Sequence, residues 1–549
     1  MQPRLASAMI AILCATAYPA RATPADPLIA QAGVAVVDTA AGKIQGFIRN
    51  GIFTYRGIPY ATAARFMPPE KVAPWQGVRL AVSYGPISPM SNPSSTSGDE
   101  MFNPHRYWPE NENCQYLNLW TPALHDGKKR PVMVWLHGGG FSAGSSIEQD
   151  AYDGEQLSRK GDVVVISLNH RLNAIGYLDL SAYGERYRYS GNVGMMDLVA
   201  ALGWVRDNIA QFGGDPGNVT LFGQSGGGGK ILTLMAAPAA KGLFHKAIVE
   251  SGTFPDMGMN ELTQDVSHRV AAHTLEELSI PPAEVDRLQT VPYDQLIAAA
   301  NKALATTARE LEHRDFFGAT MFRFAPVLDG DYIPQDPVGA TFAEGGRDIP
   351  LLIGSTLAEF NTIIRNPADK LLADSKNRWT PEQTRVRLQE KYGDKADEVA
   401  KAFAQAYPDH KLADAFFVDT VVRPGTIATA RAKADQGGAP VYAYLFAWES
   451  PILDGIAMAY HCSEIPFVFD NVASTQTAHG GGKAAQALAD EVSQAWVSFA
   501  RTGNPKARGL PPWPAYTREG GATMIIDASP AVRRNHDLTL LAALTGKPL

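Results

Sequence analysis

The segment Val219-Thr220-Leu221-Phe222-Gly223-Gln224-Ser225-Gly226-Gly227 constrains this chain more than any other stretch. An apolar run passes through a G-x-S-x-G turn into a second apolar run, Ile231 to Met235, which reads as a helix. A buried strand that turns so sharply needs the smallest residues two positions either side of the serine. The turn lifts the hydroxyl above the sheet, toward the positive end of the helix. A phosphate-binding loop over Gly223 to Lys230 is excluded, because Gln224 and Ile231 stand where that loop needs Gly and Ser or Thr.

Other short apolar runs do not alternate with polar residues, as expected of parallel strands covered on both faces. They are Val132 to Leu136, Val163 to Leu168, Ala247 to Val249, Leu351 to Gly354 and Tyr442 to Phe446. Helix-like stretches lie between or after them, for example Met195 to Gln211 and Asp490 to Arg501. The alternation predicts an α/β fold with a large, mostly parallel sheet, and chemistry at the carboxyl ends of its strands. Residues from about 361 to 436 are rich in Lys, Ala, Asp and Glu and predict a helical excursion beside the sheet.

A serine nucleophile needs donors for the negative oxygen of its tetrahedral intermediate. His137-Gly138-Gly139-Gly140-Phe141 follows a strand and matches the HGGG-type motif. Gly138 and Gly139 are the expected donors, with the N–H of Gly226 as a third. His137 is read as a brace for this loop. The base and acid follow the serine in the order Ser, Asp/Glu, His. Among the late histidines, His461 lies in a loop after a predicted strand, whereas His479 and His536 do not. Glu359 follows the strand Leu351 to Gly354 and can orient an imidazole, with Asp454 and Asp470 as competitors on spacing alone.

Composition excludes several classes. The 549 residues carry 49 Lys+Arg against 56 Asp+Glu, a net charge of −7, with no run of like charge to recruit nucleic acid or an anionic membrane. HExxH and paired CxxC patterns are absent, so neither metal nor organic cofactor is expected. Arg4, the apolar run Leu5 to Tyr18 and Ala20-Arg21-Ala22 read as a secretory leader cleaved after about Ala22. Bulky Leu13 before Cys14 argues against a lipoprotein, and no other stretch is apolar enough to cross a membrane. The expected product, residues 23–549, is one soluble catalytic domain, secreted or periplasmic, in which Cys114 and Cys462 stay reduced.

From about Gly33 onward the chain resembles the type-B carboxylesterase/lipase family of the α/β-hydrolase superfamily, which also holds cholinesterases and neuroligins. Phe53-Thr-Tyr-Arg-Gly57-Ile-Pro59, Glu112-Asn-Cys114-Gln-Tyr116-Leu-Asn118, the HGGGF segment, Gly191-Asn192-Val-Gly194, Phe212-Gly-Gly-Asp215-Pro216 and Trp496-Val-Ser-Phe499-Ala-Arg-Thr-Gly503-Asn-Pro505 carry the likeness. The resemblance implies ester hydrolysis by Ser225, Glu359 and His461 through an acyl-enzyme, with Ser251 supporting the acid. A small-molecule ester is the implied partner. Three positions depart from the family. Ser88 stands where a cysteine often pairs with the one matching Cys114, Cys462 replaces a glycine, and Gln224 replaces a common Glu. Loss of that charge disfavours choline esters and admits anionic ones, fumonisin-type polycarboxylate esters among them. Lipase, thioesterase or amidase activity is the near alternative, because fold does not choose a leaving group. A neuroligin-like binding protein is the distant one, and the presence of Ser225 with its acid and base argues against it.

Overall fold

A computed structural model describes residues 28–90, 100–254, 262–315, 318–338 and 342–548. The expected leader, residues 1–22, lies outside them.

An 11-stranded sheet organises the chain. Its strands are β1 (Phe47–Arg49), β2 (Ile52–Pro59), β3 (Tyr116–Thr121), β4 (Arg130–Leu136), β5 (Val164–Leu168) and β6 (Gly214–Gln224). β7 (Lys246–Glu250), β8 (Leu351–Thr356), β9 (Val441–Phe446), β10 (Ala522–Ile526) and β11 (Ala531–Arg534) complete it. The spatial order is β11-β10-β9-β8-β7-β6-β4-β5-β3-β2-β1. The seven strands from β4 to β10 are joined by parallel pairings, and both edges are antiparallel.

The lack of alternation in the central strands has the expected cause. Val132, Val134, Leu221, Val249 and Ile353 belong to one buried cluster, whereas Met133, Trp135, Phe222, Ile248 and Leu352 belong to another. Successive side chains enter opposite faces, and both faces are covered by helices. Helix α1 (Val193–Asn208) supplies Met195, Leu198, Leu202 and Val205 to the first cluster. So does α2 (Gly226–Ala236), with Ile231, Leu234 and Met235. Across the sheet, α6 (Gly482–Thr502) supplies Leu488, Val492, Trp496 and Phe499, a stripe at helical spacing.

The segment expected as a helical excursion packs on both faces of the sheet. Residues 361–436 are helical, with α3 (Pro381–Tyr392), α4 (Ala396–Ala406) and α5 (Val422–Asp435). Leu388, Val399 and Phe403 of α3 and α4 join the second cluster, but Ala430 of α5 joins the first. Helix α5 directly precedes β9 and belongs to the crossover that the parallel neighbours β8 and β9 require. Among the described residues, no helix is long and apolar enough to cross a membrane.

Candidate active site

Three strand ends bring the candidate residues together. β6 ends at Gln224, and Ser225 follows at φ 57° and ψ −126°, a conformation that costs a non-glycine residue strain. Its N–H donates to Glu250 O at 2.8 Å and its carbonyl accepts from Gly229 N–H at 3.1 Å. The elbow is thus held by β7 on one side and the first turn of α2 on the other. Close approach imposes the flanking glycines. A Cβ on Gly223 would lie 2.6 Å from Leu136 O, and one on Gly227 only 1.9 Å from it.

Glu359 stands just beyond β8, and His461 in the loop after β9. A parallel bridge joins Glu359 to Tyr460, and His461 N–H donates to Glu359 O at 2.9 Å. This places Nδ1 of His461 2.5 Å from Oε2 of Glu359. Oε1 accepts from Thr356 N–H and from Ser251 Oγ, each at 2.8 Å. Ser251 is thus a hydrogen-bond donor to the Glu359 carboxylate. The competing acids lie elsewhere. Asp454 is exposed in a turn, and Asp470 pairs with Lys160 and accepts from Gln486 at 2.6 Å. Ser225 Oγ has no hydrogen-bond partner among the described residues.

The HGGG loop meets the elbow directly. A Cβ on Gly138 would lie 3.3 Å from Ser225 Cβ, and one on Gly226 2.5 Å from Gly140 N. Gly138 and Gly140 of the loop therefore lie against Ser225 and Gly226 of the elbow, while Gly139 turns at φ 80° against Ala143. His137 stacks on His170, ring centroids 5.3 Å apart, and its Nδ1–H donates to Gly138 O at 2.9 Å. Burial and the nearby Lys230 charge hold its pKa well below the usual histidine value. It braces the loop as a neutral ring.

Gln224 is buried against the imidazole, its Nε2 3.2 and 3.3 Å from the two ring nitrogens. Cys462, half-buried at φ 79°, donates its thiol to Gln224 Oε1 at 3.3 Å. Phe360 closes the other side, its ring centroid 4.1 Å from that of His461. Cys114 and Cys462 form no disulfide. The Cys114 thiol is pushed up by burial, and Ser88 hydrogen-bonds it where the second cysteine would otherwise stand.

Sequence reasoning missed a group of buried carboxylates behind the site. Burial raises Glu250 to about 8 against the hydrogen bond from Trp496, whose Nε1–H donates to Oε1 at 2.7 Å. Burial, then Glu359, raises Asp419 above the usual carboxylate range. Burial, then Glu250 and Glu359, raises Glu464 well above the carboxylate range. Glu464 lies in the His461 segment, but no spacing rule marks it as buried. Lys230, seen in sequence only as part of the rejected phosphate loop, is fully buried beneath the HGGG loop. Beside the elbow lies a cavity of ≈ 140 Å³ lined by Phe141, Gly226, Leu232, Phe254, Asp336 and Val338, among others.

A nucleophile elbow, a glycine loop against it and a His–Glu pair at successive strand ends are the geometry of serine acyl transfer. Residues 33–541 match the model of the carboxylesterase family. The chain belongs to that family. This carboxylesterase is 37% identical over 508 residues to the para-nitrobenzyl esterase of Bacillus subtilis, covering 90% of this chain and 95% of that protein. It is 34% identical over 500 residues to the phenmedipham hydrolase of Pseudarthrobacter oxydans, covering 89% and 94%. A solved esterase from Clostridium hathewayi superposes with a TM-score of 0.86 at 42% identity, covering 94% of this chain and 99% of that one. The protein is a carboxylic ester hydrolase with the α/β-hydrolase fold.

Proposed function

We propose that the carboxylesterase works through Ser225, His461 and Glu359 by an acyl-enzyme route. The ester carbonyl carbon accepts Oγ of Ser225 as the hydroxyl turns onto Nε2 of His461, which takes its proton. Glu359 stabilises the imidazolium through Nδ1–H. The N–H groups of Gly138, Gly139 and Gly226 hold the oxyanion. His461 returns the proton to the departing alcohol. Water, deprotonated by the same ring, then attacks the acyl carbon, and Ser225 regains its proton as the acid leaves. The 2.5 Å contact between Nδ1 and Oε2, on the ring beside the elbow, carries this reading.

The cavity supports a neutral acyl group of about benzoyl size. An apolar cavity of roughly 150 Å³ admits benzene, and this one, next to Gly226, measures ≈ 140 Å³. The Clostridium hathewayi relative is described as hydrolysing aliphatic aromatic polyesters, which fits that size. Polycarboxylate esters of the fumonisin type are the second reading, favoured by the neutral amide of Gln224. The carboxylate of Asp336 on the cavity wall opposes it. The leader-like segment around Arg4 and Ala22 supports export, with the enzyme acting outside the cytoplasm.

The test is a panel of purified enzyme against nitrophenyl acetate, nitrophenyl benzoate, long-chain nitrophenyl esters and a tricarboxylate ester. Benzoate should be hydrolysed at least as well as the long-chain esters and far better than the tricarboxylate. A preference for the tricarboxylate ester would overturn the neutral-acyl reading.

A further inference from the structure

The HGGG loop is held from behind by two side chains, and only one of them was expected. A trans peptide unit is planar, so fixing its carbonyl fixes the direction of the N–H on the same unit. The Gly138 carbonyl shares a unit with the Gly139 N–H, and His137 Nδ1–H holds that carbonyl at 2.9 Å. The His137 carbonyl shares a unit with the Gly138 N–H. Its partner is Lys230 Nζ, which donates to it at 2.9 Å.

Lys230 is an unusual residue for that place. It is fully buried in α2, five residues after the nucleophile, with Nζ 5.9 Å from the ring centroid of Phe141. This carbonyl is the only hydrogen-bond partner of Nζ among the described residues. Burying an amine against one acceptor is costly, and a linear apolar side chain would fill the same space. The titratable groups that face Nζ are His137, His170 and Glu148. Both histidines are held neutral by burial and by the Lys230 charge. Burial lowers Lys230 itself to about 7, with Glu148 acting in the opposite direction. The fold thus keeps a poorly solvated amine at the one carbonyl that shares a peptide unit with the Gly138 N–H, in a loop packed against Ser225.

We propose that Lys230 is a positioning residue for ester hydrolysis, gripping the His137 carbonyl so that the Gly138 N–H is aimed at the oxyanion and polarised toward it. This rests on the oxyanion role given to Gly138 above. An interaction that strengthens only as the oxyanion forms acts on kcat rather than on KM.

The test compares Lys230→Met, which keeps the length and removes the donor, with Lys230→Gln, which keeps a shorter neutral donor. The readouts are Tm, kcat and KM for nitrophenyl acetate, and Ki for an aryl trifluoromethyl ketone. That ketone accepts Oγ of Ser225 at its carbonyl carbon while the serine proton passes to His461, leaving an oxyanion in the loop. Lys230→Met should hold or raise Tm, lower kcat at least tenfold and leave KM within twofold. Its Ki should rise by the same factor as kcat/KM falls, and Lys230→Gln should recover part of both. If Lys230→Met does not fold, a fall in kcat and rise in Ki for Lys230→Gln, at constant KM, supports the role. Folded variants with kcat and Ki within twofold of the parent overturn it, as does a loss carried by KM alone. Ser225→Ala is run beside them. If it keeps hydrolysing esters, the reading of the site itself fails. If it is inert while Lys230→Met is fully active, only the positioning role fails.

Discussion

Gln224→Glu puts a carboxylate against the face of the base. In the parent the amide nitrogen lies 3.2 Å from Nε2 and 3.3 Å from Nδ1 of His461. At an effective dielectric near 20, a unit charge at that distance from an imidazolium is worth about 5 kcal/mol. Part of this is lost to desolvating the new carboxylate and to repulsion from Glu359, whose Oε2 already lies 2.5 Å from Nδ1. A neighbouring opposite charge moves a titration by roughly one to three pH units in practice. The imidazolium is the stabilised form, so the base needs a higher pH to become neutral. The acid limb of kcat/KM for a neutral nitrophenyl ester should therefore move up by at least about one pH unit. Gln224→Met removes the amide without adding charge and should leave the limb in place. Esters with a free carboxylate on the acyl part should lose further kcat/KM in the Glu variant, most clearly at low salt. The experiment is a pair of pH–rate profiles in low and high salt. An unmoved limb in a folded Gln224→Glu enzyme would refute the coupling of this side chain to the base.

Ser225→Ala should lower ester turnover below a hundredth of the parent with Tm nearly unchanged, because the backbone carries the elbow strain. Glu359→Gln should stay folded and lose turnover by orders of magnitude, while Asp454→Asn and Asp470→Asn, at positions away from His461, should not. Glu250→Gln should gain stability relative to the parent as pH rises. The folded state raises Glu250 to about 8, so between the ordinary carboxylate value and 8 the native protein holds the proton that the unfolded chain releases. Stability of the parent falls across that window, by at most about 1.4 kcal/mol per pH unit. Gln keeps an acceptor for Trp496 without titrating, so the Tm difference between variant and parent should widen from pH 5 to 8. A constant difference would show that Glu250 is ionised in the folded enzyme.

What could be read from the sequence follows from how locally each feature is determined. Strands β4 to β9 were legible because burial on both faces forces continuous apolar runs, as Met133 and Val134 entering opposite clusters demonstrate. The edge strands were not. β1 and β11 are short and half-exposed, and only their pairing with a neighbour makes them strands. β10 is fully buried but is a brief run that periodicity cannot separate from a helix segment. The expected excursion at 361–436 named no single helix, and only packing shows that Ala430 of α5 joins the first cluster while α3 and α4 join the second.

The elbow and the HGGG loop announced themselves through steric necessities written into a few adjacent residues, such as the 1.9 Å clash that a Cβ at Gly227 would meet, whereas His461 was read from its place in a loop after a predicted strand and from the resemblance. Glu359 needed the resemblance, since spacing left Asp454 and Asp470 in competition. Only the fold separates them, by bridging Glu359 to Tyr460 and leaving Asp454 in an exposed turn. Glu250, Asp419, Glu464 and Lys230 lay beyond either route, because a charged residue is read as exposed until its surroundings are known. Their burial depends on β7, α5, the His461 loop and α2 converging on one place. The buried ionisable groups nearest this site are therefore those that a chain read in order is least able to reveal: Glu250→Gln tests whether one of them is protonated in the fold, and Lys230→Met whether another acts on catalysis.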